Sequence, residues 1–120
     1  MKDLLSKGIS LQTDDVVIND KAIHKYINHV KKEKGANVAE ERYRDVEETI
    51  NNPTHIYEQL KGKYLVYVNT NAYDEQGRVL KVVIHPNYTK GGKTYNIAKS
   101  FGVVNERDAF SDKSMYRKIK

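Results

Sequence analysis

Residues 49–57, TINNPTHIY, separate two parts of the chain that repeat with different periods. Upstream, Ala39, Tyr43, Val46 and Ile50 recur at i, i+4, i+7 and i+11, one apolar stripe on an otherwise charged helix. Asn37 with Glu40 three residues on resembles a capping box and is expected to open that helix. Asn51, Asn52 and Pro53 end it, because the residue before a proline disfavours helical backbone. An earlier helix is expected over 20–34: Asn19 or Asp20 caps it, Ile23, Ile27 and Val30 repeat at helical spacing beside Tyr26, and Gly35 ends it after Lys31, Lys32 and Lys34.

Downstream of Pro53 the period is two. HIYEQL is a short strand, and KYLVYVNT puts Tyr64, Val66 and Val68 on one face and Leu65 and Tyr67 on the other. After a turn at YDEQGR, Leu80, Val82 and Ile84 share one face, with Val79, Lys81, Val83 and His85 opposite. PNYTKGG reads as a loop. In KTYNIAKSF, Tyr95, Ile97 and Phe101 point inward and Thr94, Asn96, Ala98 and Ser100 outward, or the reverse. Helices first and strands afterwards predict an α+β fold: two N-terminal helices packed on one face of an antiparallel sheet of about four strands. Residues 1–13 read as a lead-in, followed by a short strand or extended piece at VVI (16–18). Residues 14–104 read as the domain, and 105–120 as a basic tail or one last helix around 108–118.

A chain of 120 residues suits one domain. It contains no cysteine, which excludes disulfides and thiolate metal sites. No apolar run approaches the roughly 20 residues needed to cross a bilayer, and the charged opening MKDLLSKGIS does not read as a signal peptide. The formal net charge of +5 permits nucleic-acid binding. Its distribution is uneven: residues 21–34 carry five lysines and one acid, 36–60 two arginines and six acids, and 61–101 seven basic groups and two acids. The expected sheet is therefore basic and the second helix acidic.

Four histidines are the groups that titrate near neutrality: His24, His29, His55 and His85. His24 and His29 are five apart and point about 140° apart on a helix, so they do not form a helical metal pair. GGK (91–93) lacks the rest of a phosphate loop, and Ser100 has no nucleophile elbow around it. General acid–base chemistry remains. Cleavage of RNA without a metal needs a base for the 2′-hydroxyl proton, an acid for the departing 5′-oxygen, and cations or donors for the phosphate charge. Lys, His, Ser and Tyr on an open sheet face are the residue types for that work, Lys81 and His85 among them. Each also has a plain structural reading: Lys81 and Lys99 keep an exposed face soluble, and His85 ends a strand before Pro86. His24 reads equally as a hydrogen-bonded histidine at the helix–sheet boundary, and His55 as a junction residue. The tyrosines, nine against two phenylalanines, suit a half-buried sheet or a binding surface for RNA or protein.

The ordered set NDKAIHKYINH, ERYRDVEETINNPTHIYEQ, KYLVYVN, RVLKVVIHP and KTYNIAKSF resembles the phage-associated branch of the barnase–EndoU–colicin E5/D–RelE-like (BECR) nucleases. It is also similar to the C-terminal domain of phage Mu F-like head proteins. The resemblance covers about residues 14–104. It implies a metal-independent endoribonuclease of phage or toxin type, without cofactors, with its site on the uncovered sheet face. By position it implies His24 as general base or acid, with His29 the other helix histidine, and Ser100 as the last-strand hydroxyl. Tyr95 joins Ser100 as a phosphate-contacting donor; face and chemistry, rather than the resemblance, add Lys81 as charge stabiliser and His85 as a substrate contact, with Lys99 and His29 as further substrate contacts. These domains often carry His-Pro just after the first helix, where this chain has HVKKEKGANVAEE. RNA is the expected partner, with an immunity protein or a phage or host protein as the other class. The expected place of action is the host cytoplasm or the phage particle. The alternatives are a non-catalytic phage protein-binding module, either a head-associated domain or a host-enzyme inhibitor, and a bare RNA-binding domain.

Overall fold

Asn19 opens helix α1 (Asp20–Lys34): its side chain accepts from the Ala22 N–H at 2.9 Å. A computed structural model describes residues 16–120; the lead-in expected over 1–13 lies outside them. Gly35 closes α1 and also opens α2 (Ala36–Asn51). Its N–H donates to the Lys31 carbonyl at 2.9 Å, and its own carbonyl accepts from Ala39 N–H at 3.1 Å. The capping box expected at Asn37 does not form: α2 starts two residues earlier, with Gly35 at the cap position and no side-chain cap, because the glycine link already sets its entry. Gly35 sits at φ 95°, ψ 168°, backbone that side-chain-bearing residues enter only with strain, although no atom lies within 4 Å of where a Cβ would be. Gly35→Ala is therefore expected to lower stability by about 1–3 kcal/mol through strain alone. Urea denaturation checks it, and a neutral result would show that the link relaxes.

The four strands expected after Pro53 are present: β2 (His55–Gln59), β3 (Tyr64–Tyr73), β4 (Val79–Lys90) and β5 (Lys93–Val104). Each pairs antiparallel with the next. The class is α+β as expected, but among the described residues the sheet has six strands and is mixed, in the order β1-β5-β4-β3-β2-β6. Strand β1 (Val16–Ile18) lies parallel to β5 on one edge, and β6 (Tyr116–Lys118) lies antiparallel to β2 on the other. The expected count of about four is thus corrected by two three-residue edge strands: β1 is the piece read at VVI, which joins the sheet, and β6 is too short to show an alternation of its own. Between β5 and β6, the short helix α3 (Glu106–Ala109) takes the place of the helix expected around 108–118.

Both long helices pack on one face, α1 over β5 and α2 over β3 and β4. That face buries Leu65, Tyr67, Leu80, Val82, Ile84 and Ala98 against Ile23 and Val46. The other face carries a smaller cluster of Tyr57, Val66, Val68, Val79 and Val83, with Phe110 and Tyr116 folded onto it from residues 105–120. The alternation read for β3 and β4 therefore holds, and that read for β5 does not. The register shifts between Val83↔Ser100 and Ile84↔Ala98, so Lys99 is an extra residue in β5. Ala98 and Phe101 consequently share the helix side, while Ser100 faces the other way with Val83. The PNYTKGG loop is corrected too. Strand β4 runs on to Lys90 past a second irregularity after His85, and only Gly91 and Gly92, both at positive φ, make the turn.

Candidate functional site

The face turned away from α1 and α2 is a grid of cross-strand rows. One row reads Gly102, Lys81, Val68, His55 across β5, β4, β3 and β2. The next reads Ser100, Val83, Val66, Tyr57, Lys118. In the third, Ile97 pairs with His85, and Gln59 pairs with both Tyr64 and Tyr116. Phe110 covers the β2 end of this grid: its ring stacks on Tyr57 at 4.2 Å and meets Tyr116 edge-on at 5.1 Å. The β4–β5 end is not covered in this way.

At that end four polar side chains surround Val83. Ser100 is directly opposite it in β5, and Lys81 and His85 stand two residues either side of it in β4. Such diagonal neighbours are about 7–8 Å apart, within reach of long side chains. The Lys81 stem crosses Gly102, where a Cβ would lie 3.7 Å from Lys81 Cε. The bulge turns Lys99 toward His85, and the Lys99 charge acts on the imidazole. Burial first, and then Lys99, hold His85 below its ordinary value of 6.5, so it is neutral at pH 7. The His85 ring stacks with Tyr64 at 5.6 Å. Burial and a hydrogen bond with the Tyr64 hydroxyl raise Tyr116. A neutral, half-buried imidazole and the half-buried Lys81, with the exposed Lys99 and Ser100, can take a proton and hold an anion.

The remaining predicted residues lie elsewhere. His24 is exposed on α1, on the helix side of the sheet, so the sheet stands between it and the Lys81–Ser100 patch. The expected grouping of His24 with Lys81 and Ser100 in one cleft is not what the fold builds. The reason is that α1 packs on the face opposite to theirs. His29 is also on α1, exposed, 3.3 Å from the Glu33 carboxylate. Tyr95 pairs with Tyr88, ring centroids 5.7 Å apart, in the outer part of the β4–β5 hairpin. It is about 16 Å along β5 from Ser100 and does not join the patch.

A second polar group stands at the β2 end. The Tyr57 hydroxyl donates to Glu106 Oε2 at 3.0 Å, and His55 Nε2 lies 3.7 Å from the same oxygen. Glu106 comes from α3, 49 residues beyond Tyr57, so no local spacing announces the contact, and His55 had no visible chemistry in sequence. Burial, then the Glu106 carboxylate, push the Tyr57 phenol up to about 12. The ordinary value is 10, so the folded state holds this proton longer than the unfolded chain does. The stabilisation is complete below pH 10 and is lost as pH rises toward 12. Ultraviolet titration is expected to show Tyr57 ionising latest of the phenols, after the also raised Tyr116, and Tyr57→Phe to remove that latest phase at a cost of about 1 kcal/mol. Survival of that latest phase in the variant would assign it to another tyrosine.

Among the described residues, no group of three or more His, Asp or Glu is placed to hold a metal ion, and no helix is long and apolar enough to cross a membrane. Comparison of the chain with protein-family models, with curated proteins and with solved structures found no match.

Proposed function

We propose that the chain is a metal-independent endoribonuclease-like domain of phage or toxin type, BECR-like in fold. The observation that carries this reading is the patch around Val83, where a neutral, half-buried His85 stands beside the exposed Lys99 and Ser100 and the half-buried Lys81. The resemblance described above supports it from the order of the elements. In the proposed reaction the His85 imidazole takes the proton of a 2′-hydroxyl. The 2′-oxygen attacks the adjacent phosphorus, the bond to the 5′-oxygen breaks, and a cyclic phosphate end remains. Lys81 and Lys99 hold the phosphate charge, and the Ser100 hydroxyl donates to a non-bridging oxygen. His55 is on the same face, but two strands and two rows away, on the order of 15 Å. The departing 5′-oxygen therefore takes its proton from water at the rim, and turnover is modest.

The test is incubation with total RNA at neutral pH in EDTA, followed by analysis of the new ends. Cleavage leaving cyclic phosphates is the expected result. RNA that is bound but left intact would turn the reading to a bare RNA-binding domain. No RNA binding at all would turn it to a protein-binding module.

A further inference from the structure

Ser100 and Phe101 are consecutive in β5 and face opposite ways. Ser100 lies in the patch just described. Phe101, opposite Val82, turns to the helix side, where its ring stacks with Tyr26 at 5.9 Å. Among the described residues, strand β1 pairs with β5 at Asn96, Ile97 and Ala98. Among the described strands, residues 99–104 of β5 are therefore an edge of the sheet. On the helix side of that edge is a groove of about 530 Å³, lined by Lys25, Tyr26, Asn28, His29, Lys32 and Phe101. Its size is that of a small-ligand site. Lys25, His29 and Lys32 fall at i, i+4 and i+7, one stripe with two lysine charges along α1 beside the aromatic pair. Arg42 donates to the Tyr26 hydroxyl at 2.6 Å, which holds the ring in place from α2.

An aromatic wall beside a row of cations matches the two parts of a nucleotide, a flat base and an anionic phosphate. The groove and the Ser100 patch are separated only by the thickness of one edge strand. We infer that the groove is a second nucleotide subsite of the RNA surface. A single strand crosses the β5 edge at Ser100, lays one base against Phe101 and Tyr26, and sets its phosphates on Lys25 and Lys32. This rests on the RNA reading given above and adds that the substrate is single-stranded and longer than two nucleotides. A duplex is too stiff to fold over an edge one strand thick.

The test uses RNA made uncleavable by 2′-O-methylation, so that binding is read apart from catalysis. The probes are a single-stranded octamer, the same octamer as a duplex, and a dinucleotide. Lys25 and Lys32 are exposed, so the double variant Lys25→Glu/Lys32→Glu is expected to fold. Its affinity for the single-stranded octamer is expected to fall about tenfold or more, with the salt slope reduced by about 1.4 for two lost phosphate contacts. Its affinity for the dinucleotide and its cleavage of a natural dinucleotide should not change. Unchanged octamer binding in the variant would overturn the subsite, as would a duplex that binds as tightly as the single strand. A wild-type protein that binds the octamer through Lys25 and Lys32 but cleaves nothing would leave the subsite standing and remove the nuclease reading. A wild type that binds no octamer, but binds a polyglutamate peptide through the same lysines, would overturn it in favour of an acidic protein partner.

Discussion

Replacing His85 by alanine is expected to slow RNA cleavage about 10²–10⁴-fold at neutral pH while the fold survives. The loss is large because no other imidazole stands on the patch: His24 and His29 are on α1, and His55 is at the far end of the grid. The fold survives because the ring is only half-buried, and losing its stack on Tyr64 costs about 1 kcal/mol. Circular dichroism and a urea midpoint check that clause. The pH profile gives a sharper reading. A base works when neutral, and burial and Lys99 hold His85 below 6.5, so the acidic limb of the rate should lie below that pH. Lys99→Met is expected to move the limb upward only part of the way, since burial is the larger cause. The same shift acts on stability. As pH falls from 6.5 through the lowered folded value, the unfolded chain takes the proton more readily, so stability is lost in that window, and His85→Ala abolishes the loss. Full activity in His85→Ala, with activity lost in His55→Ala, would move the chemistry to the Glu106 end.

What was legible in the sequence follows from how local each signal is. The two helices were, because stop and cap residues act on their own neighbours: Asn19 binds Ala22, and Asn51 is the last residue of α2 before Pro53. The faces of β3 and β4 were, because alternation continues unbroken through Leu65–Val68 and Leu80–His85. In β5 one extra residue, Lys99, breaks the alternation, and a bulge in a paired strand leaves no mark that its own sequence shows. Grouping His24 with Ser100 failed for a related reason. A histidine next to the buried Ile23 can lie on α1 without reaching the far side of the sheet that Ile23 covers. Glu106 is recruited to Tyr57 by the return of residues 105–120 across the sheet, a long-range pairing that only tertiary structure reveals.

Leu80→Ala is expected to cost about 2–5 kcal/mol, a large part of the roughly 5–15 kcal/mol of a domain this size. Leu80 is 1% exposed in a central strand, opposite Asn69 of β3 and Val103 of β5. Its side chain fills the layer between sheet and helices, where rigid elements on both sides cannot collapse into the cavity. Val83→Ala, three residues on in the same strand but on the other face, is the matched comparison. Val83 is 8% exposed beside Ser100, so removing its two methyl groups should cost only about 1–2 kcal/mol. Urea denaturation with an unchanged slope measures both. The difference matters for function. A patch that binds and releases a polymer must be accessible, and accessibility means that the residue at its centre contributes less to the core. If Val83→Ala proved as costly as Leu80→Ala, the face would be packed against something on both sides. The His85 patch would then be interior, and the reaction assigned to it would have no room for RNA.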